Sequence, residues 1–456
     1  MRKGLLLGRR PELLRLEEAW RRACQGRPQL VIVDGRRRVG KTYLLAGFAA
    51  GKPAIWYGAT HESTEAELAR LARAVRVQSG RQVDSPAALS WGNWRQAVRF
   101  LGVLAEESPL LVVLDGYDRL LRSDPLAAEA AAYFAQDVPP GSRLMLVLVG
   151  PQPDLMTRDV PDREGPVSVH VEPFDAATAR RFLPRLSPSD FLEAYAACGG
   201  YPLHLMQWEE DATTEENLLR LAGTTGGVLL DDAEALLREQ LPDAIGYTRI
   251  LAAVGRMQTR YSEILGAVAQ RIEHPLEVLV RSGLLRRSVP VGAEPSGRAA
   301  EYEFNDTYLA FWFSVLYPSV PDIEAGGGQR ALQRAQPAWA HHVERVFQEV
   351  ARDHARRLTC SGGMPADLIV GRWWSAARDQ AVDVLGLQGG RSLLVGRARW
   401  LERPLGHDEL SVVQGFLRHV PKPAASPLLA LWGRHGVSTA VRSAALGFDV
   451  AEALEA

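Results

Sequence analysis

The segment Gly35-Arg36-Arg37-Arg38-Val39-Gly40-Lys41-Thr42 fits the pattern GxxxxGK[ST]. Glycines let a loop curl so that its backbone N–H groups face a phosphate, and a helix starting there adds the partial positive charge of its N-terminus. Lys41 is expected to reach the β- and γ-phosphates of ATP, and the Thr42 hydroxyl to bind Mg2+. Lysine occurs only at positions 3, 41, 52 and 422, the other strong cations all being arginine, so position 41 stands out as one where arginine would not serve. Arg36, Arg37 and Arg38 can neutralise phosphate, although loop arginines are commonly just solvated.

A second acid-bearing segment follows. Leu110-Leu111-Val112-Val113-Leu114-Asp115 is an apolar strand ending in a carboxylate. Asp115 is expected to hold Mg2+, directly or through water. The next residue is Gly116, where many such sites have a water-activating glutamate, and Asp118 comes two positions later. Asp118 is the candidate base; the plainer alternative is a solvated loop residue, just as Asp115 could simply cap a turn. Gln152, after the apolar run 144–150, is a candidate γ-phosphate sensor or a turn residue.

These residues need a frame. Apolar, β-branched runs at 29–34, 54–57, 110–115, 144–150 and 167–171 alternate with helical patterns such as 64–76 and 94–107. Such alternation predicts an α/β class with a parallel sheet flanked by helices, and phosphate chemistry at the carboxyl ends of the strands. The phosphate loop then lies between a strand and a helix over 41–50. From 174 to 222 the pattern is helical, broken at Gly199-Gly200-Tyr201-Pro202. From 229 to 316 helices precede a hairpin: Ser262 is expected to cap a helix over 263–270, His274-Pro275 opens another that Gly283 closes, and strands 284–289 and 301–304 flank the turn 290–298. Three helices and a hairpin have the shape of a winged helix. Residues 323–337, with Gly326-Gly327-Gly328, read as a linker. Beyond it lies a small α/β region with a helix (337–358), strands near 366–373, 380–387 and 392–398, a helix (407–420) and a strand (427–432).

Composition narrows the choices. The 456 residues are 46% hydrophobic with a formal net charge of −1, enough chain for two to four domains and no general case for nucleic-acid or membrane binding. Locally, residues 251–300 hold seven arginines (256, 260, 271, 281, 286, 287, 298) against four glutamates, which suits contact with a DNA backbone; a protein-contact role is the alternative. Cys24, Cys198 and Cys360 are far apart, which argues against a disulfide framework and for a cytoplasmic setting. No run of about 18 apolar residues predicts a membrane span, and the apolar start of the chain stops at Gly8-Arg9-Arg10.

Taken together, several segments resemble the archaeal-type ATPase family within the STAND branch of P-loop NTPases. They are Gly8-Arg9-Arg10-Pro11-Glu12-Leu13, residues 35–42, Asp115-Gly116-Tyr117-Asp118, Gly200-Tyr201-Pro202 and the run from Asn305-Asp306-Thr307-Tyr308 to Phe313. The resemblance implies an ATP- and Mg2+-binding ATPase whose Gly-x-Pro element couples the bound nucleotide, ATP or ADP, to the arrangement of appended domains and so to a protein partner. It divides the chain into an ATPase core (1–175), a helical lid (176–228), a winged helix (229–322) and a domain related to PD-(D/E)xK nucleases (337–456). Gly371-Arg372-Trp373-Trp374 and Gly396-Arg397-Ala398-Arg399-Trp400 carry the last likeness, with Trp373, Trp374 and Trp400 expected in the core. Of the metal-binding acids only Asp383 fits: Arg397 and Arg399 stand in place of Glu and Lys, and Gln348 in place of a Glu. The expected function is an ATP-hydrolysing switch without nuclease activity; the alternative is a nucleotide-regulated DNA-binding or DNA-processing protein.

Overall fold

A computed structural model describes residues 7–60, 62–78, 89–123, 127, 129–151, 156, 165–241, 244–294 and 299–455. Gln152 and Arg298 lie outside the described residues. The chain forms two compact units, Met1–Pro173 and Phe174–Ala456.

The first unit is built on a five-stranded sheet in the order β2-β3-β4-β1-β5. Its strands are β1 (Gln29–Asp34), β2 (Ala54–Gly58), β3 (Leu110–Asp115), β4 (Leu144–Val149) and β5 (Val167–His170), and every pair is parallel. β1, β3 and β4 are near-continuous runs of Val, Leu and Ile, buried on both faces as parallel strands between helices must be. The helices are α1 (Arg10–Cys24), α2 (Lys41–Ala49), α3 (Thr64–Gln78), α4 (Trp94–Glu107), α5 (Tyr117–Ser123) and α6 (Glu129–Asp137). α4 shows why they dock. Asn93 caps it by accepting the Gln96 N–H, and Trp94, Ala97, Val98, Leu101 and Ala105 recur at helical spacing as its buried face. The central strands β1 and β3 end at Asp34 and Asp115, which delivers the phosphate loop and the acid strand to the same edge of the sheet.

The second unit begins with helices, among them Pro188–Cys198 and Pro202–Gln207. Gly200 sits between them because nothing larger fits: a Cβ there would lie 1.9 Å from the Phe174 carbonyl oxygen. The next module has helices Ala244–Gly255, Tyr261–Val268 and Glu273–Arg281, then the antiparallel pair β6 (Leu285–Ser288) and β7 (Glu301–Phe304). Ser262 is not the expected cap. The helix starts at Tyr261 with Arg260 in the cap position, and Glu263 reaches back to the Arg260 and Thr259 N–H groups.

The expected linker is also corrected. Residues 323–337 belong to the consecutive helices Val320–Glu324, Gly328–Arg334 and Gln336–Cys360 and the short turns that join them. Ile323 and Ala331 pack with Leu230, and a Cβ on Gly328 would meet the Gly223 carbonyl oxygen at 1.7 Å. Gly328 marks a close approach between packed segments, not a loose tether. The last sheet runs β12-β11-β10-β9-β8, comprising β8 (Ile369–Trp374), β9 (Ala381–Gln388), β10 (Arg391–Arg399), β11 (Pro423–Gly433) and β12 (Leu446–Phe448). β8, β9 and β10 pair antiparallel, whereas β10, β11 and β12 pair parallel. Helix Gln336–Cys360 packs on β8–β10 and His407–Phe416 on β10 and β11.

Candidate functional site

The phosphate loop curls through three positive φ angles: Gly35 at 133°, Arg38 at 65° and Gly40 at 99°. Gly35 is obligatory twice over, since its φ favours glycine and a Cβ would stand 2.1 Å from the Val171 carbonyl oxygen. Gly40 in the left-handed region starts α2, whose first residues are Lys41 and Thr42. Lys41 Nζ donates to the carbonyls of Gly35 at 2.6 Å and Arg36 at 2.7 Å, so the side chain folds back over its own loop. Burial pulls its ammonium down to about 8, against the opposing pull of Asp115, Asp118 and Asp34.

The strand acid meets the loop. Thr42 Oγ1 donates to Asp115 Oδ2 at 2.9 Å, which joins two residues 73 positions apart. Gly116 turns the chain at φ 77°, and α5 begins at once with Tyr117, whose hydroxyl donates to the Ala127 carbonyl. Asp118 is 8% exposed beside Gly150, and burial pushes its carboxyl above the ordinary range against Arg122, Arg119 and Lys41. Lys41, Thr42, Asp115 and Asp118 are thus gathered at one edge of the sheet. Thr42 and Asp115 suit Mg2+ as one hydroxyl and one carboxylate; among the described residues no group of three or more His, Cys, Asp or Glu side chains clusters as a complete metal site.

Two contributors escaped the reading by spacing. Arg9 is buried and donates from Nη2 to the Val39 carbonyl at 2.8 Å and from Nη1 to Glu12 at 3.0 Å, bracing the loop from α1. Its segment was legible, but nothing in a linear pattern says which carbonyl an arginine will seek. Asp34, next to Gly35, pairs with His170 at the end of β5; an acid before the first glycine was the available signal.

In the second unit, Gly200-Tyr201-Pro202 meets the run from Asn305 to Phe313. The Tyr201 hydroxyl donates to Asp306 Oδ2, and Asp306 Oδ1 caps the helix Thr307–Phe311 by accepting the Leu309 N–H at 2.8 Å. His204 is fully buried between Asp232 at 2.8 Å and the Cys198 carbonyl at 3.1 Å. On the last sheet Asp383 Oδ2 accepts the Ala398 N–H at 3.1 Å, and Arg399 Nε lies 3.0 Å from Glu344 Oε1. Burial raises the carboxyls of both Asp383 and Glu344, and Arg397 acts on both. Trp373 and Trp374 are buried as expected, whereas Trp400 is only half-buried. Arg286 is engaged differently from a DNA contact: its Nη2 lies 2.9 Å from Glu349 and 3.4 Å from Glu303.

Residues 5–147 match a family described as the AAA ATPase domain, and residues 312–410 a family described as archaeal and bacterial proteins of unknown function. An uncharacterized protein of Methanocaldococcus jannaschii is 19% identical over 391 residues, 82% of this chain and 83% of that one. The Walker-type ATPase of Pyrococcus abyssi superposes with a TM-score of 0.53 at 23% identity, covering 68% of this chain and 96% of that chain. The Orc1 protein of Aeropyrum pernix, solved with DNA, covers 70% of this chain and 95% of its own at 17% identity, with a TM-score of only 0.31. The first unit is an ATP-hydrolysing P-loop module on an α/β frame. Among the described residues no helix is long and apolar enough to cross a membrane.

Proposed function

We propose that the protein is an ATP-hydrolysing switch of the STAND type, in which the nucleotide held by residues 35–42 biases the arrangement of the domains that follow. The observation that carries this reading is the convergence of Lys41, Thr42 and Asp115 at the root of α2. Backbone N–H groups of residues 35–40 and the α2 N-terminus would hold the phosphates. Lys41 would leave the Gly35 and Arg36 carbonyls in part to reach the β- and γ-oxygens. Thr42 and Asp115 would hold Mg2+, which supplies charge neutralisation at the phosphates. Asp118 would take a proton from the attacking water, a role that a carboxyl raised by burial suits.

The appended parts are a helical region (176–228), a winged helix (229–322) and a nuclease-like domain (337–456) that serves as a contact module for a protein partner. The helix–hairpin module Tyr261–Phe304 and the mixed sheet after it support these assignments. A cytoplasmic setting is supported by three free cysteines, Cys24, Cys198 and Cys360. Coupling would run through Gly199–Pro202, because Tyr201 already ties that segment to Asp306 and the helix that follows. Hydrogen exchange of the full chain with ATP and with ADP tests this. Residues 199–204 and 306–316 should exchange differently in the two states; identical exchange there, with nucleotide bound, would remove the switch and leave a plain ATPase.

A further inference from the structure

The phosphate loop is rooted on a buried acid. Asp34 ends β1 one residue before Gly35; its side chain is only 4% exposed, and its Oδ2 lies 2.5 Å from Nδ1 of His170, which ends β5. The backbone holds the two together: Asp34 and His170 are register partners, and the Val171 N–H donates to the Asp34 carbonyl at 2.8 Å. An anion at this place is a liability, because a nucleotide's phosphates carry several negative charges and a buried carboxylate close by repels them. Lys41 already feels the Asp34 charge.

We propose that His170 is a positioning residue of the nucleotide site: its imidazolium neutralises the Asp34 carboxylate at the root of the phosphate loop and thereby makes nucleotide affinity depend on pH. This rests on the nucleotide-site reading given above and adds its regulation. Among the described residues, Glu172 and Arg36 are further charges that act on His170. Glu172 Oε1 lies 3.6 Å from its other ring nitrogen, and Arg36 of the loop acts on it from the opposite sign. Helix α1, which packs against β5, brings Arg15, whose Nη1 donates to the Ser168 carbonyl, and Arg9, which pairs with Glu12 and feels Glu172. The hydrogen bond to Asp34 dominates and lifts the imidazole above its ordinary value, while burial and Arg36 pull the other way.

The sign follows. A raised imidazole stays protonated above the usual histidine range near 6.5, and there the pair carries no net charge. As pH rises through the raised value the proton leaves, Asp34 becomes an uncompensated carboxylate, and the loop holds phosphate less well. One added unit charge near the phosphates, partly screened, changes affinity about three- to tenfold.

Titration of the full chain with fluorescent ADP, at about pH 6 and about pH 8.5 on either side of the imidazole range, tests this in four proteins: unaltered, Asp34→Asn, His170→Gln and the double variant. The unaltered chain should lose about three- to tenfold more affinity across that span than His170→Gln. His170→Gln should bind weakly at both pH values, and adding Asp34→Asn to it should restore binding. Titration of Lys41 and of the nucleotide's own phosphates is common to all four and drops out of the comparison. Parallel pH profiles for the unaltered chain and His170→Gln, or no restoration in the double variant, would overturn the proposal while leaving the nucleotide site intact. Failure of the unaltered protein to bind at either pH would overturn both.

Discussion

At the residue scale, Lys41 and Asp118 have separable duties. Lys41 donates to two loop carbonyls and stands ready for phosphate. Lys41→Ala should therefore cost about 10- to 100-fold in nucleotide affinity, the equivalent of roughly 1.5–3 kcal/mol for charged hydrogen bonds, and leave the circular dichroism spectrum unchanged. Calorimetric titration decides it, and wild-type affinity in the variant would end the phosphate-loop reading. Asp118→Asn keeps the shape of the carboxyl but cannot take a proton. ATP binding should survive while turnover falls by about 10²- to 10⁴-fold; unchanged turnover would move the base elsewhere. The residues of the loop and of the acid strand were legible because their chemistry is local: glycine, lysine and threonine at fixed spacing, and an apolar run ending in an acid. The Asp34–His170 pair was not, since it joins positions 136 apart and only the parallel pairing of β5 with β1 brings them together.

At the element scale, sequence patterns found β1, β3 and β4 because buried parallel strands are uniformly apolar. They misjudged residues 323–337, where Gly328 permits close packing and the chain is not loose. The hairpin shows a related limit. Counting charge over residues 251–300 left out Glu301 and Glu303, the buried acids of β7 that pair with Arg286, Arg345, Arg372 and Arg378. Arg286→Glu should therefore lower the melting temperature by setting a third acid against Glu303 and Glu349. Arg281→Glu and Arg287→Glu, at exposed positions, should leave it nearly unchanged and are the fairer probes of salt-sensitive DNA binding. Equal melting temperatures for all three would discredit the Arg286 pairing. Helix Gln336–Cys360 carries a pH dependence of its own. Buried His342 donates to the Ala196 carbonyl, and buried His354 accepts the Trp432 indole N–H at Nδ1. Burial lowers both imidazoles to about 4. Between the ordinary value of 6.5 and about 4 the unfolded chain takes up protons that the folded helix refuses, so stability is full above 6.5 and drains as pH falls. The loss should approach roughly 3 kcal/mol per histidine at the acid end. Urea midpoints at a series of pH values check this, and a midpoint that stays flat through that window would contradict it.

At the scale of the whole molecule, the question is whether the chain is one enzyme or two. The first unit carries a P-loop ATPase domain, and the last sheet presents a second gathering of charged side chains: Asp383 on β9, Arg397 and Arg399 on β10 and Glu344 on the helix above them. Metal-dependent phosphodiester cleavage needs carboxylates that are ionised and free to bind one or two divalent ions, with a group that can position or activate water. Here each acid is otherwise engaged. Asp383 is spent on the Ala398 N–H, and Glu344 on Arg399. Burial raises both carboxyls, which makes the anionic ligand form harder to reach. Glu349, the other acid on that stretch of helix, is tied to Arg286 and Arg352. Arg397 brings a permanent positive charge that repels a divalent cation, and a guanidinium in the place of a lysine keeps its proton and cannot act as a base. The full chain is therefore expected to leave supercoiled plasmid and linear single strands intact with Mg2+ or Mn2+, with or without ATP, while hydrolysing ATP in the same tubes. ATP turnover in those reactions shows that the protein is active, so intact DNA reports on the second site alone. Metal-dependent nicking that disappears in Asp383→Ala would make the molecule two enzymes, and would require Glu344 to leave Arg399 when metal binds.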